Sequence, residues 1–335
     1  MKKLFVIIFL VFFSTNCQVR KTEVNLLQLA APAVIKATTP HYVYPIVLTN
    51  DSIIYTNYKK LFSIKIKNKN TIQILQDNFN KHFLGMSLDG NILASANNKY
   101  YAFIKHKNQK KALAIMEPHG DQLYLGSMVP HRKNLIIANR NSITIYNHNN
   151  FNVISKMTLK DRVKKIKHSP DGRQSLFTTA GSDTSYIYIY DHKKRKKLVT
   201  LKTNYKINDA SFNVKNNKIL LAVAVRKMRP DFSVHNRFDL RNAQKNKLLW
   251  SVDFPFSRYG FHEITACAIH PTRPLVAIGA ANKKIYILNL FTGKRLYSYS
   301  VRYIKDSTTI FGIYFTPDGK KLIVGIFGSF LIWNI

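Results

Sequence analysis

An eight-residue pattern recurs along this chain and limits its fold more than any other feature. Each copy places apolar residues at its first, fourth and sixth positions and then enters a turn. The copies are VYPIVLTN (43–50), KHFLGMSL (81–88), LYLGSMVP (123–130), VKKIKHSP (163–170), INDASFNV (207–214), ITACAIHP (264–271) and IFGIYFTP (310–317), with Lys81 and His168 the polar exceptions. Successive starts are 38, 42, 40, 44, 57 and 46 residues apart. Self-similarity at such a period marks a repeat architecture, in which each copy is one supersecondary unit that buries its faces only against its neighbours.

Residues 168–201 spell out what a unit contains. Pro170-Asp171-Gly172 marks a tight turn after the octet. An apolar run follows from Leu176 to Ala180, then a polar turn, then Tyr186, Ile187, Tyr188, Ile189 and Tyr190. Aromatic and β-branched residues in alternation are strand chemistry, because successive side chains point to opposite faces. The cationic turn HKKRKK (192–197) leads to a fourth strand, Leu198 to Leu201. Other units repeat this grammar, and their third runs end in an aromatic or Leu plus a polar residue: Tyr146-Asn147, Tyr190-Asp191, Leu288-Asn289 and Trp333-Asn334.

Over about residues 43–335 this resembles the WD-repeat family of β-propellers and its bacterial relatives. The octet matches the family's first strand, and Tyr190-Asp191 and Trp333-Asn334 stand where its Trp-Asp falls. The Gly-His dipeptide of the family is absent from every unit, and Asp183 is the candidate for its turn aspartate. The resemblance implies an all-β fold, a seven-bladed β-propeller of four-stranded antiparallel blades. The seventh unit holds only three strands before Ile335. An N-terminal strand, Asn25–Leu29 or Val34-Ile35, is expected to supply the fourth, since an open edge would otherwise remain.

The first residues read as a targeting segment. Lys2 and Lys3 precede an apolar run, Leu4 to Phe13, that is too short for an ordinary membrane-spanning helix. Ser14, Thr15 and Asn16 lead into Cys17, which resembles a bacterial lipoprotein signal; the resemblance implies cleavage and lipidation at Cys17. An ordinary cleaved signal and an uncleaved anchor are the alternatives. The expected division is 1–16 signal peptide, 17–40 tether and closing strand, and 41–335 propeller. Gln18, standing where Asp would retain a lipoprotein in the inner membrane, favours the outer membrane. The other cysteine, Cys267, occupies an apolar octet position and reads as a core residue.

Net charge is +35, from 52 Lys+Arg against 17 Asp+Glu. Such a field attracts anionic partners. Much of it falls in the turns between third and fourth strands, giving a candidate basic rim of Lys105, Lys107, Lys193, Lys194, Arg195, Lys196 and Lys197. That rim suits anionic lipid headgroups or lipopolysaccharide; nucleic acid is disfavoured outside the cytoplasm. The competing reading is a compositional excess of lysine, visible also at Lys160 to Lys167. The longest irregular insert, RKMRPDFSVHNR (226–237), offers Arg226, Arg229, Phe232, His235 and Arg237 as a candidate interaction loop, or is a longer hairpin with no partner.

No catalytic motif stands out. Gly-x-Ser-x-Gly, Walker and GxGxxG sequences are absent, the carboxylates are scattered, and the 11 histidines show no ligand spacing. His168 and His270 hold similar places beside turns and read as structural. No cofactor or metal is expected. Function is therefore expected to be that of a monomeric, lipid-anchored scaffold for other proteins of the bacterial cell envelope. The alternatives are a hydrolase or lactonase-like propeller with a site in the central channel, and a secreted factor binding host proteins.

Overall fold

The computed structural model describes residues 32–36, 44–56, 60–67, 70–76, 82–86, 92–96, 101–105, 112–115, 124–129, 134–147, 152–181, 184–215, 218–228, 234–257, 263–301, 310–326 and 328–335. Among these residues the regular elements are all strands, arranged in seven four-stranded antiparallel sheets. In chain order, sheets one to six span 44–76, 82–115, 124–158, 162–203, 206–257 and 264–300, each a simple up-and-down meander. First strands begin at 44, 82, 124, 162, 206, 264 and 310, within one residue of the octet starts.

Sheet seven is built from both ends of the chain. Ile310–Phe315, Lys321–Ile326 and Ser329–Asn334 are its three C-terminal strands. Its fourth is Ala33–Lys36, antiparallel to Ser329–Asn334, with Val34 opposite Leu331 and Ile35 opposite Phe330. The expected Val34-Ile35 strand is therefore present. Asn25–Leu29, Cys17 and the whole targeting segment lie outside the described residues.

Alternation along the middle strands serves two cores at once. In Ser185–Asp191, Ile187 and Ile189 pack with Ile207, Phe212 and Val223 of sheet five. The intervening Tyr186, Tyr188 and Tyr190 pack with Ile136, Ile143 and Ile145 of sheet three. Sheet six repeats the arrangement, with Val276 and Ile278 towards sheet five and Ala277 towards sheet seven. Ile323, Phe330 and Ile332 of sheet seven meet Ile53, Tyr55, Phe62 and Ile64 of sheet one. Tyr55 stacks on Phe62 and takes the edge of Phe330 at 5.4 Å. Sheets one, two and three touch through their first strands. The architecture is β-propeller-like: the described middle strands of sheets four and six lie between two neighbouring sheets, which is why they are apolar on both faces rather than on one.

Turn chemistry is also repeated. Ser169 and Thr316, each before Pro-Asp-Gly, donate their hydroxyls to Asp171 and Asp318 at 2.6 Å and accept the amides of Gln174 and Lys321 at 3.0 Å. Thr49 accepts the Ser52 amide at 2.9 Å in the same place. His270 is the fourth member: its Nδ1 accepts the amides of Thr272 and Arg273, and its Nε2–H donates to the Gly319 carbonyl at 2.9 Å. His270 is thus the counterpart of Ser169, not of His168, which corrects the expected equivalence by one residue. At the other hairpin, Asp191, Asn242 and Asn289 accept turn amides of Lys194, Lys245 and Thr292. Four residues after each stands a left-handed residue: Arg195 (φ 52), Asn246 (φ 47) and Gly293 (φ 69). In these three sheets the polar residue that ends the third run is therefore an Asx turn former.

Candidate functional site

A first strand is a sheet edge, and its outward backbone groups have no ladder partner. Side chains of the preceding sheet fill that need. Asp209 Oδ2 accepts the Cys267 amide at 2.8 Å, and Ser211 Oγ accepts the Ile269 amide at 3.0 Å. Asn208 donates to the Ile264 carbonyl at 3.0 Å, and Thr265 donates to the Ile310 carbonyl at 2.6 Å. Asn208 and Thr265 can reach because each sits at a β-bulge near the start of its strand.

At the centre of this edge network is Asp209, 2% exposed. Lys167 Nζ lies 2.7 Å from Oδ2 and Lys165 Nζ lies 3.1 Å from Oδ1. Lys167 also donates to the Cys267 carbonyl at 3.0 Å. Burial works against both charges, yet Lys165 and Lys167 hold the Asp209 carboxyl below its usual range, and Asp209 holds Lys167 above its own. The Cys267 thiol, buried beside Asp209, is pushed up to about 12, so no thiolate forms there at neutral pH. The group joins three sheets and has no open acceptor for chemistry.

The nearest thing to a nucleophile–base pair is Ser127 Oγ with His168 Nε2, at 2.7 Å. The other ring nitrogen, Nδ1, is taken by Ser175 Oγ at 2.8 Å, and Ser175 meets His192 Nε2 at 2.6 Å. A triad needs an orienting acid at Nδ1; here a hydroxyl stands in that place. Burial, and then His192, depress His168 to about 3, so it is neutral and a weak base. The relay joins sheet three to sheet four and fixes the base of the HKKRKK turn. Among the described residues no group of three or more His, Cys, Asp or Glu could hold a metal.

Three of the five residues of the candidate interaction loop lie in strands, because Lys218–Met228 and Val234–Asn242 pair through to Met228 and Val234. All three have intramolecular partners. Arg226 meets Glu263 at 2.7 Å and His235 meets Asp253 at 2.8 Å. Arg237 pairs with Asp239 at 2.7 Å and lies over the Tyr205 ring at 4.5 Å. Arg229 and Phe232 lie outside the described residues. The expected loop is mostly the end of a long braced hairpin.

The described side chains of the basic rim stay in solvent. Lys193, Lys194, Arg195, Lys196 and Lys197 are exposed, while His192 is buried in the relay. Lys197 also reaches over the Tyr188 ring at 5.6 Å. Lys105 ends the strand Tyr101–Lys105, and Lys107 lies outside the described residues. Sheets five and six extend the same end with exposed Lys245, Lys247, Lys294 and Arg295. Three exposed apolar side chains stand among them: Leu248 (40%), Leu249 (45%) and Phe291 (62%). Trp250 locks the two sheets together there, donating Nε1–H to the Leu290 carbonyl at 2.8 Å. The octet pattern carries no signal for this patch, since it depends on which ends of which strands are left uncovered.

No family model matches the chain, and no curated protein matches it. Among solved structures, 1508 chains match. One is described as "Structure of U3-55K", with a TM-score of 0.65 at 11% identity over 91% of this chain and 98% of that one. At that identity the likeness is one of fold alone.

Proposed function

We propose that the seven sheets are blades of one closed, seven-bladed β-propeller, and that the chain is an exported scaffold. It docks on anionic membrane surfaces of the cell envelope through the face that carries its three-to-four turns. The observation that carries this reading is the mixture on that face: exposed Lys193–Lys197, Lys245, Lys247, Lys294 and Arg295 around exposed Phe291, Leu248 and Leu249. Cations near an anionic leaflet gain about 1 kcal/mol each, and apolar side chains among them add burial at the headgroup boundary. A lipid on Cys17 would hold the molecule at the same surface, since one acyl chain alone anchors only marginally. The opposite face is then left for other envelope proteins. Closure is supported by the packing of sheet seven on sheet one and by Asn50, which accepts the Asp318 amide at 3.0 Å.

Vesicle sedimentation tests the reading, using the Cys17→Ala chain so that lipidation plays no part. Binding to phosphatidylglycerol vesicles is expected, with little to phosphatidylcholine vesicles and a steep loss at high salt. Lys193→Gln with Lys194→Gln should weaken it about 30-fold, from about 1 kcal/mol each. Equal binding to both vesicle types, or to neither, would sink the proposal.

A further inference from the structure

Among the described side chains, the exposed large hydrophobic residues are Val153, Val214, Leu248, Leu249 and Phe291. Phe291 lies in the three-to-four turn of sheet six, and Val153, Leu248 and Leu249 lie in the first residues of fourth strands. Val214 adjoins the one-to-two turn of sheet five. Beside it Asn213 donates to the His270 carbonyl, at the matching end of sheet six. All five therefore stand at one end of the sheets. Single exposed apolar residues need no explanation, but a set confined to one end marks an interaction surface.

Phe291 and Leu249 are presented as their counterparts are not. The Asx turns of sheets four, five and six place Lys193, Gln244 and Phe291 two residues after Asp191, Asn242 and Asn289. Only sheet six has an aromatic ring there, 62% exposed. The turn beneath that ring is braced. Asn289 Oδ1 accepts the amides of Phe291 and Thr292 at 2.9 and 3.0 Å, the Leu290 amide donates to the Pro274 carbonyl at 2.7 Å, and Gly293 packs on the Trp250 ring. The fourth strands of sheets four, five and six each carry a bulge, which leaves Leu198, Leu249 and Leu296 between register pairs. Leu296 is buried in the core towards sheet seven, and Leu198 packs against the core shared with sheet five. Leu249 stays outside, with Trp250 spanning the gap to sheet six in its place.

A ring held on a rigid turn loses little freedom when a partner covers it. Charge says what covers it. On the other side of sheet five, the turn of sheet four is wholly cationic from Lys193 to Lys197. Anionic groups at one depth and hydrocarbon just below them match the two halves of this surface, and an anionic bilayer offers both.

We propose that the protein docks obliquely, with sheets five and six lowest. Phe291, Leu248 and Leu249 pass between the headgroups into the acyl boundary, while Lys193–Lys197 of sheet four stay at the lipid phosphates, because a charge is costly in hydrocarbon. This rests on the membrane-docking reading above and adds which turns enter the bilayer and which residue, Phe291, sets the depth.

Tryptophan reporters at the matched turn positions, Phe291→Trp and Lys193→Trp, test this in the Cys17→Ala chain. The vesicles are phosphatidylglycerol brominated on its acyl chains, at concentrations where sedimentation shows each variant fully bound. The parent chain, with Trp250 and Trp333 alone, gives the background. Bromine should quench Phe291→Trp beyond that background and leave Lys193→Trp at it. Phe291→Ser should bind about tenfold more weakly, the loss of one partly buried aromatic side chain. Its salt dependence and urea midpoint should match the parent's, since it removes no charge and no packed side chain, whereas Lys193→Gln with Lys194→Gln should flatten the salt dependence. Equal quenching of the two reporters, quenching of neither, or full binding by Phe291→Ser would overturn oblique insertion and leave the docking face standing. If the parent itself fails to sediment with anionic vesicles, the docking face falls and this proposal falls with it.

Discussion

Asp209→Asn is the substitution that tests the account of the first-strand edges most directly. The change keeps the shape and an acceptor for the Cys267 amide but removes the charge facing Lys165 and Lys167. Breaking a buried pair by neutralising one partner costs about 3 to 5 kcal/mol. Lys165 and Lys167 keep 35% and 22% of their side-chain exposure, so water compensates in part. The expected cost is about 3 kcal/mol, at the low end of that range. Lys167→Met in the same chain removes the less exposed of the two stranded charges and leaves Lys165 to turn to solvent, so the double variant should return to within about 1 kcal/mol of the parent. Urea denaturation at neutral pH, followed by the fluorescence of Trp250 and Trp333, reads both values. The pH dependence has a definite sign. The folded carboxyl titrates below its usual value, so the unfolded chain takes up the proton first. The stabilisation is full above about pH 4 and is lost as pH falls through the folded value. Asp209→Asn should remove that acid-limb loss. A cost below about 1 kcal/mol, the size of an exposed pair, would refute the reasoning, as would additive losses in the double variant.

Two further outcomes follow from the turns and from sheet seven. Arg195 holds φ 52, so Arg195→Gly should stabilise by about 1 kcal/mol; Gly293→Ala should do the reverse, since φ is +69 and a Cβ would come 3.0 Å from Trp250. Denaturation midpoints of the two variants should move in opposite directions, and a common direction would sink the turn argument. Deleting residues 1–36 strips Ser329–Asn334 of its edge partner. The truncated chain should aggregate faster than the parent by light scattering, and equal solubility with an unchanged melting temperature would count against a structural role for Ala33–Lys36.

The architecture was legible because its signals are local. An octet such as ITACAIHP carries its own strand and turn, and the structure begins that strand at Ile264. The Asp191 and Asn289 turn formers were likewise visible as the polar ends of apolar runs. The site was harder to see. Asp209 and Lys167 are 42 residues apart, and nothing at either position announces the other. Composition left the 226–237 insert open between an interaction loop and a longer hairpin, because nothing in it announces that Glu263, Asp253 and Asp239 each hold one of its side chains. His168 and His270 looked equivalent because both precede turns, yet one is the last strand residue and the other the first turn residue.

The mixed parentage of sheet seven sets a clock on folding. Ala33–Lys36 leaves the ribosome early, and its partner Ser329–Asn334 follows 329 − 36 = 293 residues later. At about 5 to 20 residues per second that is an interval of about 15 to 60 s. Throughout it, the other sheets can complete themselves from contiguous chain while this one cannot. Among the strand pairings of the described residues it is the longest-range in sequence, and the last to become possible. A nascent chain therefore carries a waiting strand, and whatever shields that strand until synthesis ends governs how much of the protein reaches its native form.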